Sequence, residues 1–317
     1  TSTVTVTINA LPDPGTNGAL TVCDQGAPQG LFGALGGSPA AGGTWTAPGG
    51  AAHSGTIDPT VDPAGVYTYT VPGAAPCASA SATVTVTITS SPNAGTNGAW
   101  TLCEDMAPTS LFAALGGSPD AGGSWTDPNG LAHGPNVDPA VDPSGVYTYT
   151  IAAIAPCLGA TSTVTVTINA LPDPGTNGAL TVCDQGAPQG LFAALGGSPA
   201  AGGTWTAPGG AAHSGTIDPT IDPAGVYTYT VPGVAPCASA SATVTVTITS
   251  SPDAGTNGAW TLCEDMAPTS LFAALGGSPD AGGSWTDPNG LAHGPNVDPS
   301  VDPSGVYTYT IAAIAPC

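Results

Sequence analysis

A histidine and a pair of aspartates recur along the chain, and these residue types often serve in catalysis or metal binding. His53 stands in GAAHSG, and Asp58 and Asp62 follow it in DPTVDPAG. A catalytic histidine needs an orienting carboxylate and a nucleophile within hydrogen-bond reach. The sequence does not assemble such a set, so we expect His53 and its counterparts to be exposed loop residues and predict no catalytic site. The counterparts are His133, His213 and His293.

Each aspartate of the pair precedes a proline, and Asp138 and Asp142 repeat the arrangement. Asp-Pro sequences are typical of turns, so we expect these carboxylates to cap strand ends. A glycosidase-like pair would require a cleft, which the sequence does not predict. Calcium is the alternative, because aspartates and loop carbonyls supply the oxygens that it prefers. The segment DPGTNG at 13–18 is a second calcium candidate, and no other cofactor is predicted.

Cysteines recur in pairs, and we expect all of them to form disulfides. Pairing within a repeat would join Cys23 to Cys77, whereas pairing between repeats would join Cys77 to Cys103. We favour the first scheme, because it uses every cysteine within the chain. No Cys-x-x-Cys or Cys/His cluster has zinc spacing, and paired cysteines indicate an extracellular or cell-surface location. The cysteines are Cys23, Cys77, Cys103, Cys157, Cys183, Cys237, Cys263 and Cys317.

The composition excludes several classes of function. Among 317 residues there is no Lys or Arg, and 21 are acidic. Nucleic-acid binding is excluded because no Lys or Arg side chain is present to neutralise phosphates. The absence of Arg and Lys also excludes an Arg clamp for phosphoryl groups and a Lys Schiff base. No apolar run reaches the roughly 20 residues of a membrane span.

The chain is built from repeats of about 80 residues. TVTVTI occurs at 3–8, 83–88, 163–168 and 243–248. Two repeat types alternate: type A carries ALTVCDQGAPQG and type B carries AWTLCEDMAPTS. We predict repeat 1 (12–91) and repeat 3 (172–251) of type A, and repeat 2 (92–171) and repeat 4 (252–317) of type B. Near-identical copies are typical of rods, tethers and adhesive arrays rather than enzymes.

Within a repeat, alternation of apolar and polar residues predicts six or seven short strands, as in a compact β-sandwich. GVYTYTV at 65–71 and ATVTVTIT at 82–89 are the clearest strands, and the second is expected to be antiparallel with an outer face of threonines. ALTVC at 19–23 and GTWTA at 43–47 are further strands, with Trp45 in the core. GLFGALGG at 30–37 is either a strand or a helical turn. The type B residues Trp100 and Trp260 fit either a core or a contact between repeats or chains.

The motifs GTWT, GVYTYTV and ATVTVTI, followed by NAGTNG, resemble the immunoglobulin-like repeats of giant surface and secreted adhesin-type proteins of Bacteroidota. The resemblance covers essentially the whole chain. It implies an all-β fold, a tandem array of four Ig-like β-sandwich domains arranged end to end. It also implies export and a role as a stalk or adhesin.

The chain opens on TSTVTVTIN, a strand sequence that elsewhere closes a repeat. We therefore expect residues 1–9 to be the last strand of a preceding or neighbouring domain, with a linker to residue 11, and repeat 4 to lack its last strand. The predicted function is a non-enzymatic extracellular structural or adhesive fibre or stalk of tandem disulfide-stapled Ig-like repeats, and we expect this sequence to be an excerpt of a longer repetitive chain. One alternative is a filament subunit joined by donor-strand complementation through residues 1–9, and a second is a carbohydrate-binding array. The predicted partners are copies of the chain, flanking repeats or surface polysaccharide.

Overall fold

The protein is all-β, as predicted, in a computed structural model that describes residues 1–317. The chain forms two compact units, 1–169 and 170–317. One core cluster lies within each of the four predicted repeats, and the repeat boundaries themselves stay predictions. The helical segments are single 3₁₀ turns, none with the length and apolar character of a membrane-spanning helix.

Repeat 1 contains seven strands in two sheets. The five-stranded sheet has the order β1-β7-β6-β3-β4, and β2 pairs with β5. A 3₁₀ turn covers Phe32–Ala34. The strands are β1 (Gly18–Cys23), β2 (Gln29–Gly30), β3 (Thr44–Thr46), β4 (Ala52–His53), β5 (Thr56–Ile57), β6 (Gly65–Val71) and β7 (Ala80–Thr89).

Repeat 2 has the same plan within the first unit. Its sheets have the orders β11-β10-β13-β14-β8 and β12-β9, and its 3₁₀ turn covers Leu111–Ala114. The strands are β8 (Gly98–Cys103), β9 (Thr109–Ser110), β10 (Ser124–Thr126), β11 (Ala132–His133), β12 (Asn136–Val137), β13 (Gly145–Ile151) and β14 (Ala160–Asn169).

The second unit holds repeats 3 and 4. Repeat 3 has the sheets β15-β21-β20-β17-β18 and β16-β19, and repeat 4 has β24-β23-β26 and β22-β25. Their 3₁₀ turns cover Leu191–Ala194 and Leu271–Ala274. The strands of repeat 3 are β15 (Gly178–Cys183), β16 (Gln189–Gly190), β17 (Thr204–Thr206), β18 (Ala212–His213), β19 (Thr216–Ile217), β20 (Gly225–Val231) and β21 (Ala240–Thr249). Those of repeat 4 are β22 (Thr269–Ser270), β23 (Ser284–Thr286), β24 (Ala292–His293), β25 (Asn296–Val297) and β26 (Thr308–Thr310).

Strand β7 lies between β1 and β6 in the main sheet of repeat 1, and its alternating side chains decide which of its faces is buried. Val84 and Val86 are buried, whereas Thr85 and Thr87 on the opposite face are exposed. The strand is antiparallel to β6, as predicted, but parallel to β1. The parallel pairing was not predicted, because alternation reports which face is buried and carries no information on strand direction.

The core of repeat 1 is centred on two tyrosines of β6. Tyr69 lies between Trp45 and Phe32, with ring centroids 5.0 and 5.5 Å away. The hydroxyl of Tyr67 donates to the carbonyl of Pro63 at 2.8 Å, four residues upstream. This contact has the form of the tyrosine corner of immunoglobulin-like sandwiches.

The segment 30–37 combines both predicted alternatives, because it holds the end of β2 and the 3₁₀ turn. This turn approaches β1 so closely that a Cβ at Gly18 would stand 1.7 Å from the carbonyl oxygen of Ala34. Only glycine fits there.

Repeat 4 differs from the other three along one edge. Residues 258–263, which correspond to β1, form no strand, and β26 spans only Thr308–Thr310. Residues 1–9, predicted to be a strand of another domain, are likewise unpaired in the single chain.

Candidate functional site

The histidine of each repeat is held by a carboxylate. The side chain of His53 is 10% exposed, and its Nε2 lies 3.4 Å from Oδ2 of Asp62. The ring also contacts Tyr67, with centroids 4.8 Å apart. The prediction of an exposed histidine without an orienting carboxylate is therefore wrong. His53 of β4 pairs with Trp45 of β3, which places the histidine on the main sheet. The turn after β5 then brings Asp62 next to it.

Asp62 closes the turn that precedes β6. Its Oδ2 accepts a hydrogen bond from the backbone N–H of Asp58 at 2.8 Å, and its own N–H donates to the Asp58 carbonyl at 2.8 Å. The Asp58 N–H lowers the pKa of Asp62 against the opposing effect of desolvation, and His53 adds to the lowering. The aspartates thus form a turn, as expected, and the calcium alternative stays a prediction.

The surroundings of the imidazole do not include a nucleophile. In repeat 1 the N–H of Gly55 donates to Nδ1 of His53 at 3.1 Å, while the hydroxyl of Ser54 contacts the carbonyl of Thr56. In repeat 2, Nδ1 of His133 lies 2.8 Å from the carbonyl of Gly134, and no serine occupies that position. Because both ring nitrogens face turn groups and an aspartate, the histidine acts as a clamp between the loop and the tyrosine corner.

Two disulfides join neighbouring repeats, one within each unit. Cys23 is bonded to Cys157, and Cys183 is bonded to Cys317. The predicted pairings of Cys23 with Cys77 and of Cys77 with Cys103 are both wrong. The prediction that every cysteine is bonded also fails, because two are free thiols. Cys103 and Cys237 are disulfide-bonded as well, whereas Cys77 and Cys263 are free.

Strand register explains why the disulfide connects repeats. Cys23 at the end of β1 lies opposite Thr89 at the end of β7, and β7 leads directly into repeat 2. The Sγ atom of Cys157 lies 3.3 Å from the carbonyl oxygen of Thr89. Both cysteines therefore meet at the strand end where one repeat passes into the next. The sequence contained one usable signal, the Ala-Pro-Cys segment that every repeat carries, but only the parallel register places it beside Cys23.

Hydrogen bonds reinforce this junction. The backbone N–H of Asp24 donates to the Thr89 carbonyl at 2.9 Å, and Oδ1 of Asp24 accepts from the N–H of Ser91 at 2.9 Å. The Ser91 hydroxyl is the largest cause of the lowered pKa of Asp24. Asp184 and Ser251 repeat the arrangement in the second unit. The sulfurs of Cys23 and Cys157 lie close to Asp24, but sulfurs bonded to each other are not thiolate metal ligands.

Similar solved structures are tandem arrays of immunoglobulin domains. The I-band fragment I67–I69 of titin shares 14% identity over 74% of this chain and 97% of that one, with a TM-score of 0.44. Immunoglobulin domains 1–4 of Sidekick-1 share 12% identity over 75% of each chain, with a TM-score of 0.31. Extracellular domains 3–5 of Drosophila OTK share 14% identity over 76% of this chain and all of theirs, with a TM-score of 0.28. No family model and no curated protein matches the chain.

Proposed function

We propose that this protein is a non-enzymatic extracellular fibre or stalk whose repeats are joined by disulfides so that it resists extension. The observation that carries the proposal is the bonding of Cys23 and of Cys183, each at the end of a first strand, to the Ala-Pro-Cys cysteine of the next repeat. Disulfides are typical of oxidising, extracellular settings. Together with the near-identical repeats, this supports a structural or adhesive role of the kind implied by the resemblance to Bacteroidota surface proteins.

The disulfides shorten the covalent path along which the chain can be stretched. A load on the two ends passes through residues 1–23, crosses to Cys157, continues to Cys183 and crosses to Cys317. That path contains about 50 residues, which at ~3.6 Å per residue extend to roughly 180 Å. Without disulfides all residues contribute, and the limit rises to roughly 1,100 Å. The disulfides therefore limit the extension even of unfolded repeats.

Single-molecule pulling on the two ends of the chain tests this function. Under oxidising conditions we expect a contour length close to the short path, and after reduction a length close to the long one. The double variant Cys23→Ser, Cys157→Ser is the matched control, because it removes the covalent shortcut in the first unit and should lengthen the path without a reductant. Equal contour lengths before and after reduction would contradict the proposal.

The non-enzymatic part of the proposal is supported by the histidine clamp, in which the imidazole contacts no nucleophile. A carbohydrate-binding array is less well supported, since such modules require exposed aromatic platforms. Trp100 packs against the core of repeat 2, and Trp260 is 46% exposed. The other four tryptophans are core residues: Trp45, Trp125, Trp205 and Trp285.

A further inference from the structure

The hairpin turn between the third and fourth strands of a repeat distinguishes type B from type A chemically. In repeat 2 the turn reads Asp-Pro-Asn-Gly at 127–130, and in repeat 4 the same four residues stand at 287–290. Type A repeats carry Ala-Pro-Gly-Gly at this place, at 47–50 and 207–210. Only the type B turn therefore places an asparagine directly before a glycine. This dipeptide cyclises readily, because glycine has no side chain to hinder attack by its backbone nitrogen.

The turn between β10 and β11 presents its Asn-Gly dipeptide to solvent. Asn129 and Gly130 are both exposed, and a Cβ built on Gly130 would meet no atom other than its chain neighbours within 4 Å. Gly130 has a φ of +80°, which glycine adopts without steric cost. A five-membered ring formed between the two residues therefore has open space around it.

The same dipeptide also begins the main sheet of repeats 1, 2 and 3, where its surroundings are closed. Oδ1 of Asn17 accepts a hydrogen bond from the N–H of Thr83 at 2.9 Å, and Gly18 pairs with Val84 in the ladder of β1 and β7. The carbonyl of Ala34 leaves no room for a Cβ at Gly18. Asn97-Gly98 and Asn177-Gly178 repeat these contacts.

We propose that Asn129 and Asn289 are sites of spontaneous covalent modification, at which each asparagine cyclises with the following glycine and is converted to isoaspartate and aspartate. The type B repeats thereby undergo a slow chemical change that the type A repeats lack at the same turn. The inference goes beyond the proposed fibre and does not depend on it.

The reaction consumes water and needs no other reagent. The backbone nitrogen of Gly130 attacks Cγ of Asn129 and forms a new C–N bond. The C–N bond of the side-chain amide breaks, and its nitrogen leaves as ammonia with the proton that the Gly130 nitrogen gives up. Water then opens the succinimide ring at one of its two carbonyls, which gives aspartate or isoaspartate. The net change is the gain of one water and the loss of one ammonia, with no oxidation or reduction.

Asp127 holds the turn together before the reaction. Its Oδ1 accepts hydrogen bonds from the N–H groups of Asn129 and Leu131 at 2.9 and 2.8 Å, and its Oδ2 accepts one from Nδ2 of Asn129 at 3.3 Å. The N–H of Gly130 donates to the Asp127 carbonyl at 2.9 Å, and this bond has to open before the nitrogen attacks. An exposed hairpin turn opens at a lower free-energy cost than the ladder of a main sheet. The turn site is therefore favoured over Asn17 and its counterparts.

Conversion of Asn129 weakens the turn that Asp127 holds. The Nδ2 donor is replaced by a carboxylate oxygen, so two negative charges face each other in a chain without Lys or Arg. Isoaspartate also adds a methylene group to the backbone between β10 and β11. Because β11 places His133 opposite Trp125, we expect the modification to loosen the histidine clamp of type B repeats alone.

Incubation of the intact, folded chain in H₂¹⁸O at mildly alkaline pH tests the inference. The chain is then digested with chymotrypsin in ordinary water, and the peptides are analysed by mass spectrometry with electron-transfer fragmentation, which separates isoaspartate from aspartate. Residues 126–131 and 286–291 both read TDPNGL, so Asn129 and Asn289 are measured together. We expect this peptide to gain isoaspartate with one ¹⁸O atom at least about tenfold faster than the peptides that hold Asn17, Asn97 and Asn177.

Two controls separate the effect of the fold from that of the dipeptide. In the reduced chain unfolded in guanidinium chloride, all five asparagines should react at similar rates, because each precedes a glycine in an open chain. The double variant Asn129→Gly, Asn289→Gly reproduces the Pro-Gly-Gly sequence of the type A turn. It should keep the hairpin and lose the modification.

Three results would overturn the inference. The first is conversion of the TDPNGL peptide no faster than that of the strand sites in the folded chain. The second is labelled aspartate without isoaspartate, which would indicate direct hydrolysis of the side-chain amide instead of a ring. The third is a rate difference of equal size in the unfolded chain, since the local sequence and not the fold would then set the rate. None of these results changes the contour length that tests the proposed function.

Discussion

At the scale of single residues, the carboxylates of this chain are stabilised by hydrogen bonds rather than by basic partners. With no Lys or Arg present, the side-chain ion pairs are those between histidine and aspartate, such as His53 with Asp62. Asp24 is held by Ser91, and Asp62 by the N–H of Asp58. These contacts favour the ionised carboxylate, which is why the pKa values of both groups are lowered.

The lowered pKa values predict a loss of stability in acid. Several aspartates have folded-state pKa values below the ordinary value of 3.8, so they bind protons more weakly in the folded state than in the unfolded state. They include Asp24, Asp62, Asp184 and Asp302. These carboxylates contribute fully to folding stability when the pH is above their unfolded pKa. The contribution is lost as the pH falls through their lower folded pKa values, because the unfolded state then binds more protons. Urea unfolding followed between pH 5 and pH 2.5 should show a falling midpoint below about pH 4.

The control for this prediction is the variant Asp24→Asn, Asp184→Asn. It removes two of the titrating groups, so its midpoint should fall less steeply between pH 4 and pH 2.5. A midpoint that rises in this range would contradict the sign of the linkage.

At the scale of an element, the hexapeptide TVTVTI shows that the same residues contribute differently according to what surrounds them. In β7 its valines join the core of repeat 1, because β1 and β6 flank the strand on both sides. At 3–8 the same valines are exposed. The β propensity of the segment is identical in both places, so tertiary neighbours alone decide whether the strand forms.

Truncation of a valine at the two positions tests this contrast. Val84→Ala should destabilise repeat 1 by about 2 kcal/mol, because it removes two buried methyl groups and leaves a cavity. Hydrogen exchange of the β6 and β7 amides should then quicken by roughly 30-fold. Val4→Ala removes the same atoms from an exposed site and should leave these amides unchanged. Equal effects of the two substitutions would show that burial does not set the contribution of the strand.

At the scale of the whole molecule, the disulfides determine whether a chain cut by a protease releases its fragments. Trypsin has no cleavage site, since Lys and Arg are absent, and we expect no tryptic cleavage even after reduction and denaturation. A broad protease can cut the exposed loop at Val61, which is 77% exposed. That loop lies between Cys23 and Cys157, so the cut fragments stay covalently joined.

Limited digestion with proteinase K should therefore leave a product near the full mass of 30.3 kDa on a non-reducing gel, and fragments on a reducing gel. The variant Cys23→Ser, Cys157→Ser should release an N-terminal fragment without reduction. Rapid digestion of the oxidised protein to small peptides would count against a durable fibre.

Local sequence patterns were enough to predict the repeat, the all-β class and the outward face of the strand at 82–89. Alternation at 65–71 and 82–89 predicted these two strands and the outer face of threonines at 82–89, because the two-residue period of a strand is a local property. The absence of basic residues likewise predicted, without any structure, that the chain does not bind nucleic acid.

Only the tertiary structure decided which residues meet across the fold. The parallel pairing of β1 with β7, the contact of His53 with Asp62 and the bond from Cys23 to Cys157 join residues that no local pattern connects. The reason is physical: a disulfide or an ion pair depends on strand direction and register, which arise when separate elements share a core.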